Sequence, residues 1–182
     1  EASRESERHL ASGERPVFEA LLQTENALAL ADVMLPEKAE EGLRWRMLEV
    51  KSSTSVKEYH RDDAAIQTHI ARECGVGLSQ VGLAHINNAF VYPGDGNYDG
   101  LFHVEDLTEE AISRDAEVRR WITDAQRTAA LQDEPIVPMG DHCHHPYDCG
   151  FCAYCNKLNG IEEDPLSVLP RLHAIRRESW RQ

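Results

Sequence analysis

Three residues in two short strings are of the types that phosphodiester hydrolysis requires. Asp32 sits in Leu28-Ala-Leu-Ala-Asp-Val-Met-Leu35, and seventeen residues later Glu49-Val50-Lys51 closes the run Trp45-Arg-Met-Leu48. Two carboxylates are hard oxygen ligands suited to Mg2+ or Mn2+. An ion so held lowers the pKa of a bound water and steadies charge on a leaving oxygen. A lysine beside it orients the water and stabilises charge that grows in the transition state. A surface ion pair at a strand end uses the same residue types. Both strings are otherwise apolar, however, which predicts charged groups set close to a core. Order and spacing together predict metal-dependent hydrolysis of a nucleic acid.

Strands must position these groups. Side chains two apart share a face of a strand, so Glu49 and Lys51 project together with Trp45 and Met47 behind them. Leu28, Leu30, Asp32 and Met34 form the matching set in the preceding strand. If the two strands pair, Asp32 meets Glu49 and Lys51 at the sheet surface. Pro36-Glu-Lys-Ala-Glu-Glu-Gly42 between them has the length and polarity of a loop. Upstream, Pro16-Val-Phe-Glu-Ala-Leu-Leu22 reads as a strand with Val17, Glu19 and Leu21 on one face.

Downstream, Lys51–Val56 is a polar connector. Asp62 to Cys74 reads as a helix with an acidic start and Gly75 after its end. On it, Asp63 and Gln67 lie one turn apart on one face, beside an apolar stripe of Ile66, Ile70 and Cys74. Gln67 is placed to hydrogen-bond a metal-bound water, a phosphate or Lys51; an ordinary solvent-facing amide is the plainer alternative. Tyr59 and His60, just before the helix, are candidate substrate contacts. Val81–Asn87 and Leu101–Val104 read as strands, separated by the turn-rich Pro93-Gly-Asp-Gly-Asn97. Thr108 caps a helix running to about Leu131. The pattern is α/β.

The 182 residues, 41% of them hydrophobic, suffice for one core with decorations. No stretch is apolar for the length of a membrane span, and no signal-peptide pattern is present, so the expected location is cytoplasmic. Residues 1–15 read as a polar tail or frayed helix, 16–137 as the core, and 138–182 as a cysteine-rich cap followed by a helix. The chain opens Glu1-Ala-Ser-Arg without a Met, which predicts a fragment or processed chain with further domains or protein partners. The net charge of −13 is unusual for a nucleic-acid binder, since neutralising phosphates supplies much of the affinity. Bound cations would reverse the sign locally. Arg171, Arg176, Arg177 and Arg181 make the C-terminal segment basic, a narrow track with aromatics such as Tyr147 and Phe151 on which bases could stack. The expected substrate is therefore single-stranded DNA with a free end.

A second chemical cluster runs from Asp141 to Cys155, with four cysteines spaced Cys143-x5-Cys149-x2-Cys152-x2-Cys155. With no sign of secretion, a disulfide framework is disfavoured and a metal centre is expected. The closely spaced thiols resemble the ligand runs of iron–sulfur proteins. Structural Zn2+ is the alternative, with His142, His144 and His145 as substitute ligands. Cys74 stands apart and reads as a lone buried helical thiol.

The string from Ala31-Asp-Val through Glu49-Val-Lys-Ser-Ser-Thr54, Tyr59-His60 and Asp63-Ala-Ala-Ile-Gln67 resembles the PD-(D/E)XK nuclease superfamily. Within it, the match is to the RecB-like branch, which includes CRISPR-associated exonucleases with a cysteine-bound cluster, and to an uncharacterised bacterial family of RecB-like domains with a terminal Pro-Tyr-x-Cys pattern. The resemblance covers about residues 16–172. It implies a restriction-endonuclease-like mixed sheet flanked by helices, with a cysteine-bound C-terminal cap. It makes Asp32 and Glu49 metal ligands, Lys51 the catalytic lysine, and Gln67 the helix-borne motif residue. It also makes Glu19 an additional acid at the metal. It favours a [4Fe–4S] cluster that pins the C-terminal segment onto the core. The chain departs from the branch at Ala71, where a tyrosine is usual. A non-catalytic, zinc-stabilised interaction module and an RNA-cleaving nuclease are the competing readings.

Overall fold

The computed structural model describes residues 2–40 and 42–160. The basic C-terminal track at Arg171, Arg176, Arg177 and Arg181, and the terminal helix expected there, lie outside those residues. The chain divides into two compact units, Glu1–Asp133 and Glu134–Gln182.

The first unit is built on one five-stranded mixed sheet in the order β1-β2-β3-β4-β5. Its strands are β1 (Val17–Gln23), β2 (Leu28–Ala39), β3 (Gly42–Lys51), β4 (Leu78–Ile86) and β5 (Phe102–Asp106). All neighbours are antiparallel except β3 and β4. A parallel pair needs a crossover, and helix α2 (Glu58–Glu73) supplies it. The α/β class read from the sequence is the architecture of this unit.

One face of the sheet carries Ala20, Leu22, Ala31, Met34, Trp45, Met47, Val81 and Leu83, all nearly solvent-free. Helix α2 packs here through Ala64, Ile70 and Ala71; small side chains bring its backbone close to the sheet. Trp45, Met47 and Glu49 all turn inward, as their spacing predicts. On the opposite face Gly82 leaves no room for a side chain: a Cβ there would sit 2.7 Å from Leu48 Cδ2 and 2.9 Å from Val104 Cγ1.

Several local expectations give way. The polar tail is helix α1 (Ala2–Ser12), which buries Leu10 and takes the Leu21 N–H onto Ser6 Oγ. Residues 36–42 are mostly strand: the ladder runs through Pro36↔Trp45 and Glu37↔Arg44 to Ala39↔Gly42. Opposite charges facing across it favour pairing, and Gly42 adopts the positive φ of 113° that ends the turn. Helix α2 begins at Glu58 rather than Asp62, because the His60 ring accepts the Lys57 N–H at 3.2 Å and caps the first turn. Tyr59 and His60 therefore lie within the helix. Cys74 is exposed, one residue past its end. The long helix from Thr108 breaks at Arg114 into α3 (Thr108–Ser113) and α4 (Asp115–Ala129).

The pleat also changes phase. Val17 is buried, and so are Ala20 and Leu22; Ala29 and Ala31 are buried, and then Met34. In both strands the buried set shifts by one residue, so Glu19 and Leu21 do not share the face of Val17, and Leu28 and Leu30 do not share that of Met34. The shifts lie at one level. Pairs Phe18↔Val33 and Ala20↔Ala31 flank Glu19 and Asp32, and Glu19 has φ 51°. A non-glycine residue in the left-handed region costs about 1–2 kcal/mol.

The second unit holds a short 3-10 turn (Asp141–Cys143) and helix α5 (Cys152–Leu158).

Candidate active site

The β2–β3 ladder ends at Val33↔Leu48. One step further stand Asp32 and Glu49. There the strands part, and Asp32 Oδ2 accepts the Val50 N–H at 2.7 Å in place of a backbone carbonyl. Sheet register thus carries the acid of one strand to the acid-x-lysine of the next.

From the other side, α2 lays two polar residues over the same point. Lys51 Nζ donates to Glu49 Oε1 at 2.6 Å and to Asp63 Oδ2 at 2.6 Å. Gln67 Nε2 donates to Glu49 Oε2 at 2.6 Å and lies 3.4 Å from Asp63 Oδ1. Two carboxylates are bridged twice, by an ammonium and by an amide, in a closed ring of four side chains. Glu49 and Gln67 are each only 6% exposed. Gln67 Oε1 is buried and has no hydrogen-bond partner among the described residues. An orphaned buried acceptor is costly, so this oxygen is poised for a donor or cation from outside the protein.

The electrostatics follow from crowding. Burial first, with the Asp63 charge adding to it, pushes the Glu49 carboxyl up to about 7 against the opposing hydrogen bonds from Lys51 and Gln67. For Lys51, burial pulls the pKa down. Hydrogen bonds to Asp63 and then Glu49 more than offset it, and the net shift is upward. His60 is shifted down, by burial first and then by the charges of Lys51 and Lys57. Its Nδ1 accepts a backbone N–H, which only an unprotonated Nδ1 can do.

A divalent cation fits this ring by the chemistry of its donors. Glu49 is a carboxylate that desolvation makes reluctant to ionise, and a nearby cation would relieve that cost. Among the described residues no three His, Cys, Asp or Glu side chains close on one ion. The arrangement suits Mg2+, which usually takes one or two carboxylates and fills its octahedron with waters and substrate phosphates. Asp32 and Glu49 would be those carboxylates, with Gln67 Oε1 free to accept from a bound water. Glu19 neighbours Asp32 across the β1–β2 pair, exposed and on strained backbone.

In the second unit the thiols gather along one turn. The Cys143 carbonyl accepts the Cys149 N–H at 2.8 Å and the Cys152 thiol at 3.4 Å. Burial first, then the neighbouring Cys143 and Cys149, raises the Cys152 thiol pKa. None of the five cysteines is in a disulfide. Cys143 is buried, Cys152 and Cys155 are half-buried, and Cys149 is exposed. Four unpaired thiols lie within thirteen residues, and no three of them close on one point. Of the three histidines offered as substitutes, His144 is paired with Asp148 at 2.9 Å.

Of the expected set, the structure joins Glu49, Lys51 and Gln67, and adds Asp63; Asp32 is tied instead to the Val50 N–H beside Glu49. Sequence reasoning missed the part played by Asp63, although its helical spacing from Gln67 was the available signal. It also missed the capping role of His60. No protein-family model matches the chain, and no curated protein is similar to it.

Proposed function

We propose that the first unit is a metal-dependent nuclease of the PD-(D/E)XK type, with a restriction-endonuclease-like core, hydrolysing DNA phosphodiester bonds. The observation that carries this reading is the Lys51 ammonium held 2.6 Å from the buried Glu49 carboxylate, at the level where Asp32 closes the neighbouring strand.

Asp32 and Glu49 would hold Mg2+ or Mn2+, with Glu19 on the adjoining strand as a further acid. The ion, when bound, supplies a water of lowered pKa and a counter-charge for the leaving oxygen. Lys51 presents its ammonium to the attacking water and the non-bridging phosphate oxygens, where negative charge accumulates. Gln67 fixes the orientation of Glu49 through its amide N–H and offers Oε1 to a water proton. Glu49 is itself buried, which strengthens each of these charge interactions.

In the second unit, Cys143, Cys149, Cys152 and Cys155 would hold a [4Fe–4S] cluster with a structural role, and structural Zn2+ is the competing occupant. Tyr147 and Phe151 are exposed, and their rings are of the kind on which bases stack. With a chain this acidic, binding of duplex along a broad surface is disfavoured, and a single DNA strand with a free end is the proposed substrate.

The test is a digestion series with linear single-stranded DNA, circular single-stranded DNA, blunt duplex and single-stranded RNA, each with Mg2+ or Mn2+. Linear single-stranded DNA should be cut fastest, and EDTA should abolish cutting. Asp32→Ala, Glu49→Ala and Lys51→Ala should each lose activity while remaining folded. Unchanged rates in all three variants would sink the assignment. Equal cutting of circular and linear strands would replace the end-dependent mechanism with an endonuclease.

A further inference from the structure

We propose that Asp63 is the positioning residue of the Lys51 ammonium, holding it in place when Glu49 turns to the metal. The inference rests on the nuclease reading above and assigns a role to a residue outside the metal-and-lysine motif.

The argument starts from competition for one carboxylate. Lysine is a point charge on a flexible four-carbon stem. Here its Nζ has two anchors at the same distance, Glu49 Oε1 and Asp63 Oδ2. Glu49 is also the group best placed to bind a divalent ion. A cation at Glu49 repels the neighbouring ammonium and draws on the oxygens that hold it. If Glu49 were the only anchor, the same event that loads the site would release the lysine. Asp63 removes that conflict, because it belongs to α2 and approaches Nζ from outside the strand pair.

The anchor is itself held. Asp62 pairs with Arg114 at 2.6 Å. Arg61 is forked between Glu105 of β5 and Glu110 of α3. His69 pairs with Asp115 at 2.8 Å. These ties fix α2 against β5, α3 and α4 on both sides of Asp63. Asp63 Oδ1 lies 3.4 Å from Gln67 Nε2, which sets the carboxylate plane so that Oδ2 faces the ammonium. The Asp63 side chain is 39% exposed, so exchanging its charge does not bury a new unpaired group.

Asp63→Asn keeps the shape and removes the charge; Asp63→Ser is the second variant. Both should fold, with melting temperatures within a few degrees of the parent. With linear single-stranded DNA, kcat should fall about ten- to a hundred-fold. KM and the Mg2+ concentration for half-maximal rate should stay within about twofold. Asp63→Glu should recover part of the loss. On a Lys51→Ala background, Asp63→Asn should cause no further loss, because the two act as one unit. Full activity in Asp63→Asn, a further loss on the Lys51→Ala background, or a large rise in the Mg2+ requirement would overturn the proposal; the last would make Asp63 a metal ligand. An activity-free measurement separates this proposal from the nuclease reading. With saturating Mg2+, the Lys51 side-chain ammonium should give a slowly exchanging 15N signal that is lost in Asp63→Asn. If the parent cuts nothing yet that signal is lost, the nuclease reading falls and the anchoring stands. A signal indifferent to Asp63→Asn overturns the anchoring whatever the activity.

Discussion

The two chemical clusters of this chain are built in opposite ways. The carboxylate–lysine ring draws Glu49 and Lys51 from β3 and Asp63 and Gln67 from a crossover helix, with Asp32 of β2 bonded to the Val50 N–H beside it. Its geometry is maintained by the sheet register and by packing of α2, and every donor–acceptor distance in the ring is between 2.6 and 3.4 Å without any ion. The cysteine cluster draws all its members from Cys143 to Cys155, and its ties are local: the Cys143 carbonyl accepts the Cys149 N–H and the Cys152 thiol, and the Cys149 carbonyl accepts the Cys152 N–H. A site assembled from distant elements inherits their stability. A site written into one short segment has only local bonds, and a bound metal contributes folding free energy to it directly.

The sharpest way to break this comparison is to disable each cluster in turn. Glu49→Ala or Lys51→Ala should reduce nuclease activity by about a thousand-fold or more, with the cysteine-bound metal unaffected. Cys149→Ser should do the reverse: the protein loses its iron and its brown colour, while the first unit keeps its melting transition. Anaerobic purification, iron and zinc analysis and calorimetry would read this out. Colourless protein with one stoichiometric zinc would exchange the cluster for zinc and keep the comparison. Collapse of the first unit in Cys149→Ser would end it.

A medium effect follows from Glu49 itself. Its folded-state pKa of about 7 exceeds the ordinary 4.5, so between those values the folded protein holds more protons than the unfolded one. Stability contributed by this proton is complete below about pH 4.5 and disappears as pH rises through 7. The metal-free protein should lose about 3 kcal/mol across that window. Glu49→Gln should flatten the curve, and Mg2+ should do the same by stabilising the carboxylate. Denaturant melts at several pH values, with EDTA and with Mg2+, check this. A parent curve as flat as that of Glu49→Gln would show that Glu49 titrates normally.

The smallest effect concerns Glu19. Replacing it with glycine relieves left-handed strain worth about 1–2 kcal/mol but frees the unfolded chain at a cost of about 0.4–1 kcal/mol. Net stability should therefore rise by no more than about 1.6 kcal/mol. If Glu19 is an acid of the metal site, the Mg2+ requirement should nevertheless rise several-fold. Unchanged Mg2+ dependence would remove Glu19 from the site and leave only the strain to explain.

Much of the candidate site was legible because it depends on short-range rules. A period of two placed Glu49 and Lys51 together above Met47 and Trp45, and a period of 3.6 placed Asp63 with Gln67. What failed were features that depend on partners elsewhere in the chain. Residues 36–39 look like a loop until Trp45 and Arg44 lie opposite them. Helix α1 looks like a tail until its apolar Leu10 finds β1. The phase of β1 and β2 follows alternation until Glu19 takes a left-handed turn, which no periodicity announces. His60 reads as a candidate substrate contact ahead of the helix until its ring is seen to cap the first turn of α2.

The amino-acid sequence by itself determined which groups are available and which of them share a face: an acid, an acid-x-lysine, an aspartate–glutamine pair and four closely spaced cysteines. Local periodicity is a property of the backbone and needs no tertiary partner. Only the tertiary structure decided that these faces meet. The antiparallel register brings Asp32 to the end of the Glu49 strand. The parallel crossover then folds α2 back so that Asp63 and Lys51 share a proton-rich contact at 2.6 Å. Burial at that meeting point, with the Asp63 charge beside it, is what turns Glu49 from an ordinary carboxylate into one poised near neutrality.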